Sequence, residues 1–249
     1  MPHISFTKRA TSWSLGSLIV IATVVAPLPA HSAADATAQK LFESGVQLKN
    51  KRQFRPAINL FTQAIAVNPN FAQAYRSRAS CLIEIDNFDQ AMTDANKAIS
   101  LDPKLAFAYS DRAKIYNERG KHKEAIADLT RAIELSKDKP MYTFYQDRGS
   151  LLKESGDDKG ALADFTSGLK LNPKDCWLHY FRACIYYKHG NYKDALADAS
   201  EAIRTQTADE KGAFYQMRAK CYDKLGQPAL AKKDRDTADA AVGFVWGEK

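Results

Sequence analysis

The chain is short of most of the residue types that announce a specialised chemistry. Cysteine occurs four times and tryptophan three times in 249 residues, too few for a small disulfide-stapled scaffold. Twelve glycines and nine prolines exclude a collagenous or low-complexity chain. There is no glycine-rich phosphate loop and no Gly-x-Ser-x-Gly elbow, so two common catalytic devices are missing. No stretch alternates with period two, which leaves no signal for a sheet. What remains is 45% hydrophobic and 26% charged, the composition of an ordinary folded protein.

The N-terminus departs from this. Lys8 and Arg9 precede the apolar run Trp13 to Val25, and "APLPAHSAA" follows. A basic start, a short apolar centre and small residues describe a secretory signal peptide over 1–34. Ala30-His31-Ser32 and Ser32-Ala33-Ala34 both offer small residues for cleavage. A retained anchor is the alternative, but the run falls short of the ~20 residues that span a bilayer. The expectation is a secreted or periplasmic protein without stable membrane insertion after cleavage. Losing this segment removes two basic residues and no acids, so the net charge falls from +7 to +5. That excess is spread along the chain rather than gathered into a stripe, which argues against nucleic acid as a partner.

Everything after residue 37 repeats. Ala57, Ala91, Ala125, Ala161, Ala195 and Ala231 stand 34, 34, 36, 34 and 36 residues apart. Arg78 and Asp94, Arg112 and Asp128, Arg148 and Asp164, Arg182 and Asp198, and Arg218 and Asp234 are each separated by sixteen residues. Gly120, Gly156, Gly190 and Gly226 punctuate the last four units, and Pro69, Pro103 and Pro173 close the first, second and fourth. A fixed period of this length predicts stacked repeats. Within the third unit, Tyr109, Arg112, Ala113 and Tyr116 lead to Gly120, and Ala125, Leu129, Ala132 and Ile133 then follow at helical spacing. The fold class is all-α.

The pattern resembles the tetratricopeptide repeat. Gly45, Leu48, Ala57, Phe61, Ala64 and Pro69 carry the resemblance in the first unit, and Tyr145, Gly149, Leu152, Ala161, Phe165, Gly168 and Pro173 in the fourth. Six units near 38–71, 72–105, 106–141, 142–175, 176–211 and 212–245 make up a repeat domain over 35–249. Lys137 and Thr207 replace the expected proline, and the loops at 136–141 and 205–211 each gain two residues. The resemblance implies an α-α superhelix, a right-handed solenoid of helix-turn-helix units. Lys232, Arg235 and Asp239 make the sixth unit's second helix polar, as a solvent-facing end cap requires.

Arg and Asp lie eight residues on either side of each turn, so folding the hairpin brings them level. They are expected to form partly buried structural ion pairs within a unit. The first unit has Ser44 and Leu60 at these positions and loses both partners together. Five copies spread along a solenoid are the opposite of an active site, and no catalytic residue, cofactor or metal site is expected. Cys176, His179, Cys184 and His189 have the ligand order of a zinc knuckle. One helix carries them all, however, and places the outer two about 20 Å apart. Cys184 and Cys221 fall at nearly equivalent places in neighbouring units, either as a bridge or as two packed thiols; Cys81 has no evident partner.

The resemblance further implies that first helices line a concave groove that holds a protein or peptide. The inward positions are the second, fifth, sixth, ninth, twelfth and thirteenth of each unit. In the fifth unit Trp177, Tyr180, Phe181 and Tyr187 all fall there, and aromatic groups supply contact area at low entropic cost. Lys153, Lys188, Lys220 and Lys224 surround them, with Asp147, Glu154 and Asp223 nearby. The expectation is an aromatic pocket for an apolar side chain, with lysines pairing to acidic groups of the ligand; packing between helices is the competing role for the same rings. The carboxylate clamp of some family members is not reproduced at Phe42, Val46, Ser77, Phe107 and Asp111. A glycan is the alternative ligand. Phe244, Val245 and Trp246 in the tail either fold back on the last helix or dock elsewhere.

Overall fold

The structure, a computed structural model, describes residues 30–206 and 212–243. These form twelve α-helices and no strand among the described residues: α1 Ala30–Asn50, α2 Phe54–Val67, α3 Ala72–Ile83, α4 Phe88–Leu101, α5 Ala106–Glu118, α6 His122–Leu135, α7 Tyr142–Glu154, α8 Asp158–Leu171, α9 Cys176–Lys188, α10 Tyr192–Thr205, α11 Gly212–Lys224 and α12 Pro228–Gly243. Each odd helix packs on the even helix after it, and each even helix packs on the next odd one. The result is a right-handed superhelix of six hairpins. First helices of successive hairpins also touch, α1 with α3, α3 with α5, and α9 with α11, so they lie on the shorter, inner arc. Both candidate cleavage positions of the N-terminal segment fall in the first two turns of α1, and Met1 to Pro29 lie outside the described residues, as do Phe244, Val245 and Trp246.

The turn inside each hairpin needs one residue with positive φ. Gly120, Gly156, Gly190 and Gly226 supply it at +69°, +85°, +78° and +72°. In the first two hairpins Arg52 (φ 58°) and Asp86 (φ 59°) take the same place, although a Cβ makes that conformation costly. Between hairpins, Asn68, Asp102 and Asn172 end their helices in extended or near-extended backbone, which the following proline demands.

The repeated alanines at 57, 91, 125, 161, 195 and 231 are fully buried and let the two helices of a hairpin approach closely. Where the facing first-helix residue shrinks to glycine, the second helix fills the gap with phenylalanine. A Cβ on Gly45 would stand 2.6 Å from Phe61 Cε1, and one on Gly149 would stand 2.7 Å from Phe165 Cε1. The third hairpin solves the same problem with Ala113 and Leu129, both buried in one cluster. Lys232, Arg235 and Asp239 on α12 are exposed while Ala231, Asp234 and Ala238 are buried, so the last helix turns a polar face outward.

All five Arg–Asp pairs form inside their hairpins. Each arginine donates from Nε to one carboxylate oxygen and from Nη2 to the other, at 2.7–2.8 Å. Four of them also reach back from Nη1 to the preceding hairpin: Arg78 to Thr62, Arg112 to Asn96, Arg148 to Thr130 and Arg182 to Thr166. The pairs therefore brace five hairpins and tie four of them to the one before, which the spacing within a unit does not reveal. Among the described residues no helix is long and apolar enough to cross a membrane.

Candidate binding groove

Residues on α9 that face the inner arc belong to the most aromatic stretch of the chain. Trp177, Tyr180 and Phe181 lie against one another with ring centroids 5.8–5.9 Å apart. Phe214 of α11 meets Trp177 at 5.1 Å and Tyr180 at 5.2 Å, and Phe165 of α8 meets Phe181 at 5.6 Å. Phe165 and Phe214 are fully buried, whereas Trp177, Tyr180 and Phe181 remain half-buried. The rings thus pack between helices, as the competing role for them requires, and keep part of their surface exposed. Burial pushes the Tyr180 hydroxyl up to about 12, with the neighbouring Cys184 adding to the effect, so it stays a neutral phenol.

Tyr187 does not join this group. It packs 5.4 Å from Tyr192, across the turn of its own hairpin, one end of α9 away from Trp177. The four lysines also divide. Lys153 places its ammonium 5.0 Å from the centre of the Phe181 ring, a cation–π contact that holds it at the aromatic patch. Lys188 instead reaches Asp158 at the start of α8, at 2.5 Å, and His189 joins it on the same oxygen at 2.8 Å. Lys188, ahead of His189, holds the Asp158 carboxyl below its ordinary range against the opposing effect of burial. Its other oxygen, Oδ1, is buried without a partner among the described residues. Lys220 and Lys224 are exposed.

Of the acidic residues expected near the aromatics, Asp223 pairs with Arg235 at 2.6 Å. Asp147 and Glu154 face the other way, into a cleft of about 140 Å³ between α5 and α7. The reason is helical geometry: 147, 150 and 154 form one stripe of α7 toward α5, while Lys153 lies about 100° round the axis toward α9. Lys114, Asn117 and Ser150 complete that cleft. Sequence reasoning passed over these three, although they sit at the ninth, twelfth and ninth positions of their units, all inward. Only residues of unusual type drew notice, and Lys, Asn and Ser are not unusual. Farther along the inner wall, Arg76 donates to Asp111 at 2.7 Å and lies 4.8 Å from the Phe107 ring centre, so two of the residues where a carboxylate clamp would stand are already engaged by Arg76.

The cysteines and histidines of α9 scatter to separate neighbours. The Cys176 thiol lies 2.9 Å from Gln206 Oε1, and His189 is on Asp158. His179 is buried between Asp198, 2.9 Å from Nδ1, and the Pro173 carbonyl, 3.1 Å from Nε2. It replaces the tyrosine found three residues before the arginine in the other hairpins, Tyr75, Tyr109, Tyr145 and Tyr215. Burial alone would lower its pKa, but Asp198 and the Pro173 carbonyl outweigh it and the net shift is upward. Cys184 and Cys221 pack in one apolar cluster as free thiols. Burial raises all four thiols, Cys81 and Cys221 to about 11, which leaves little thiolate for nucleophilic or redox work.

The comparisons with known proteins agree with this architecture. Residues 37–178 match the family model of the ETO1 C-terminal domain. A comparison with curated proteins finds no match. Among solved structures, the Pseudomonas aeruginosa pilF protein superposes with a TM-score of 0.75 at 14% identity, over 86% of this chain and 94% of that one. PilW, a widely conserved type IV pilus biogenesis factor, gives 0.72 at 16% identity, over 85% and 95%. YrrB, a TPR protein with an unusual peptide-binding site, gives 0.62 at 20% identity, over 73% and 91%. The family match spans more than half of the chain and the hairpins repeat in phase, so this protein belongs to the ETO1 C-terminal domain family and is a tetratricopeptide-repeat protein.

Proposed function

We propose that the protein is an exported, non-enzymatic scaffold that holds an extended polypeptide in its concave groove. The observation that carries this reading is the patch of Trp177, Tyr180 and Phe181, anchored from behind by buried Phe165 and Phe214 and open to the groove. Rings fixed on one side bind with little further loss of freedom, the property of interface hot spots. Lys153 beside the patch, with Lys220 and Lys224 exposed on α11, suits acidic groups flanking an apolar side chain of the ligand. Similar folds in a peptide-binding protein and in a pilus biogenesis factor support a role in assembling an envelope or secretion complex.

A photo-crosslinking amino acid placed at Lys220 of the full chain, expressed in its own cells, tests this. Crosslinked polypeptide that disappears in the Tyr180→Ala variant, with the melting curve still cooperative, supports the scaffold. Crosslinks to glycan alone would sink it, as would a variant that no longer folds.

A further inference from the structure

Lys114 and Asn117 stand one turn apart on the inner face of α5, and a cleft opens on each side of them. Toward α7 lies the cleft of about 140 Å³, with Ala113, Leu129 and Leu151 as its floor and Asp147, Ser150 and Glu154 on its rim. Toward the α3–α4 turn lies a second, of about 230 Å³, with Ile83 and Phe88 below and Asp86 and Glu118 at the edge. Four carboxylates thus flank one ammonium. None of these rim side chains makes a side-chain hydrogen bond or ion pair among the described residues. Asp111, the next carboxylate along the wall, is by contrast held by Arg76 at 2.7 Å. Burial, opposed by Lys114 and reinforced by Asp111, holds the Asp147 carboxyl above its ordinary range, as expected where desolvation outweighs one nearby ammonium.

We propose that these two clefts receive two cationic side chains, lysine or arginine, carried three residues apart on an extended segment of the partner. The inference rests on the groove reading above and specifies the chemistry of its occupant. Three features point to it. A cavity of roughly 150 Å³ holds a benzene-sized group, so each cleft takes one side chain rather than a helix. An apolar floor under an acidic rim matches the long aliphatic stem and charged head of lysine or arginine. Neighbouring helices pack about 8–10 Å apart, and a polyproline-II strand brings residues i and i+3 to the same side about 9 Å apart. A phosphate or an acidic peptide would meet the four carboxylates instead. The same groove would therefore read an apolar, acid-flanked stretch at α9 and a basic pair at α5.

The test is selection of a random decapeptide display pool on the immobilised full chain, followed by sequencing. Three chains are compared: the natural one, the quadruple variant Asp86→Asn, Glu118→Gln, Asp147→Asn, Glu154→Gln, and the Tyr180→Ala variant. The natural chain should enrich peptides with two basic residues three apart. Matched synthetic peptides, lysine against norleucine at those positions, should differ about fivefold to tenfold in affinity, and the quadruple variant should erase that difference. If it does not fold, the Asp147→Asn, Glu154→Gln pair is read alone for one of the two basic positions. Selected peptides without a basic pair, still lost in the tyrosine variant, overturn this inference and leave the groove standing. No selection above bare resin overturns both.

Discussion

Arg112 grips Asp128 through two parallel hydrogen bonds, 2.7 Å from Nε to Oδ2 and 2.8 Å from Nη2 to Oδ1, and turns Nη1 to Asn96 of the preceding hairpin at 2.9 Å. One side chain thereby closes its own hairpin and fastens it to the one before. The aspartates are nearly dry, whereas the arginine side chains keep 13–21% of their exposure.

That asymmetry sets the first prediction. Arg148→Ala strands Asp164 in the core, while Asp164→Ala leaves an arginine that can turn to water. The arginine variant is expected to lose about 3–5 kcal/mol and the aspartate variant less, with the double variant well short of their sum. Urea melts of the four chains give the values. Equal losses that simply add would refute the coupling.

The second concerns pH. His179 has a folded pKa above its ordinary 6.5, so its contribution is complete below that value and is lost as pH rises through the folded pKa. Asp198 has a net pKa below its ordinary 3.8; burial opposes that shift, and Arg182 and His179 outweigh it. Its contribution is present above 3.8 and is lost as pH falls through the folded value. The fifth hairpin is accordingly firmest in mildly acid solution. Replacing His179 with tyrosine, the residue of the other hairpins, should remove the alkaline-side loss. Melting temperatures of the two chains should diverge as pH is raised from 6 to 8 (about one pH unit either side of neutrality being enough to titrate a histidine). Parallel curves would show that His179 does not titrate in this window.

The third uses the turns. Arg52 and Asp86 hold left-handed backbone that glycine holds in the other four hairpins. Arg52→Gly is expected to stabilise the protein by about 1 kcal/mol, and Asp86→Gly by less, since aspartate tolerates that region better. Gly120→Ala should destabilise by a similar amount. A destabilised Arg52→Gly would mean that the arginine side chain matters more than its backbone.

The fourth tests the exchange of volume across a hairpin. Gly149→Ala drives a methyl to within 2.7 Å of fully buried Phe165 and should cost about 1–3 kcal/mol. Adding Phe165→Leu recreates the Ala–Leu pairing of the third hairpin and should recover part of that loss. A double variant weaker than the sum of the two single ones would disprove the complementarity.

Most of the architecture was legible because repetition multiplies a weak signal. One Ala-x-x-x-Phe stripe is compatible with many helices, but six alanines in register, with glycine and proline at matching intervals, leave one way to lay the chain. The Arg–Asp pairs were legible for the same reason, through their sixteen-residue spacing and their joint absence from the first hairpin. The groove residues were harder. Position within a unit says that a side chain lies on the inner wall but not toward which neighbour it leans. Asp147 and Glu154 therefore turned out to face α5 instead of the aromatic patch, and Lys188 went to Asp158.

Local periodicity and backbone preference, both properties of contiguous residues, were enough for the sequence by itself to determine an all-helical chain of six hairpins and the level at which each pair of helices meets. Only the tertiary structure decided that four of the five paired arginines reach back to the preceding hairpin, that Tyr187 stands apart from Trp177, and that two acid-rimmed clefts flank Lys114. Those outcomes depend on the angle and offset between successive hairpins. Packing of side chains some 35 residues apart sets that geometry, and no stretch of sequence states it.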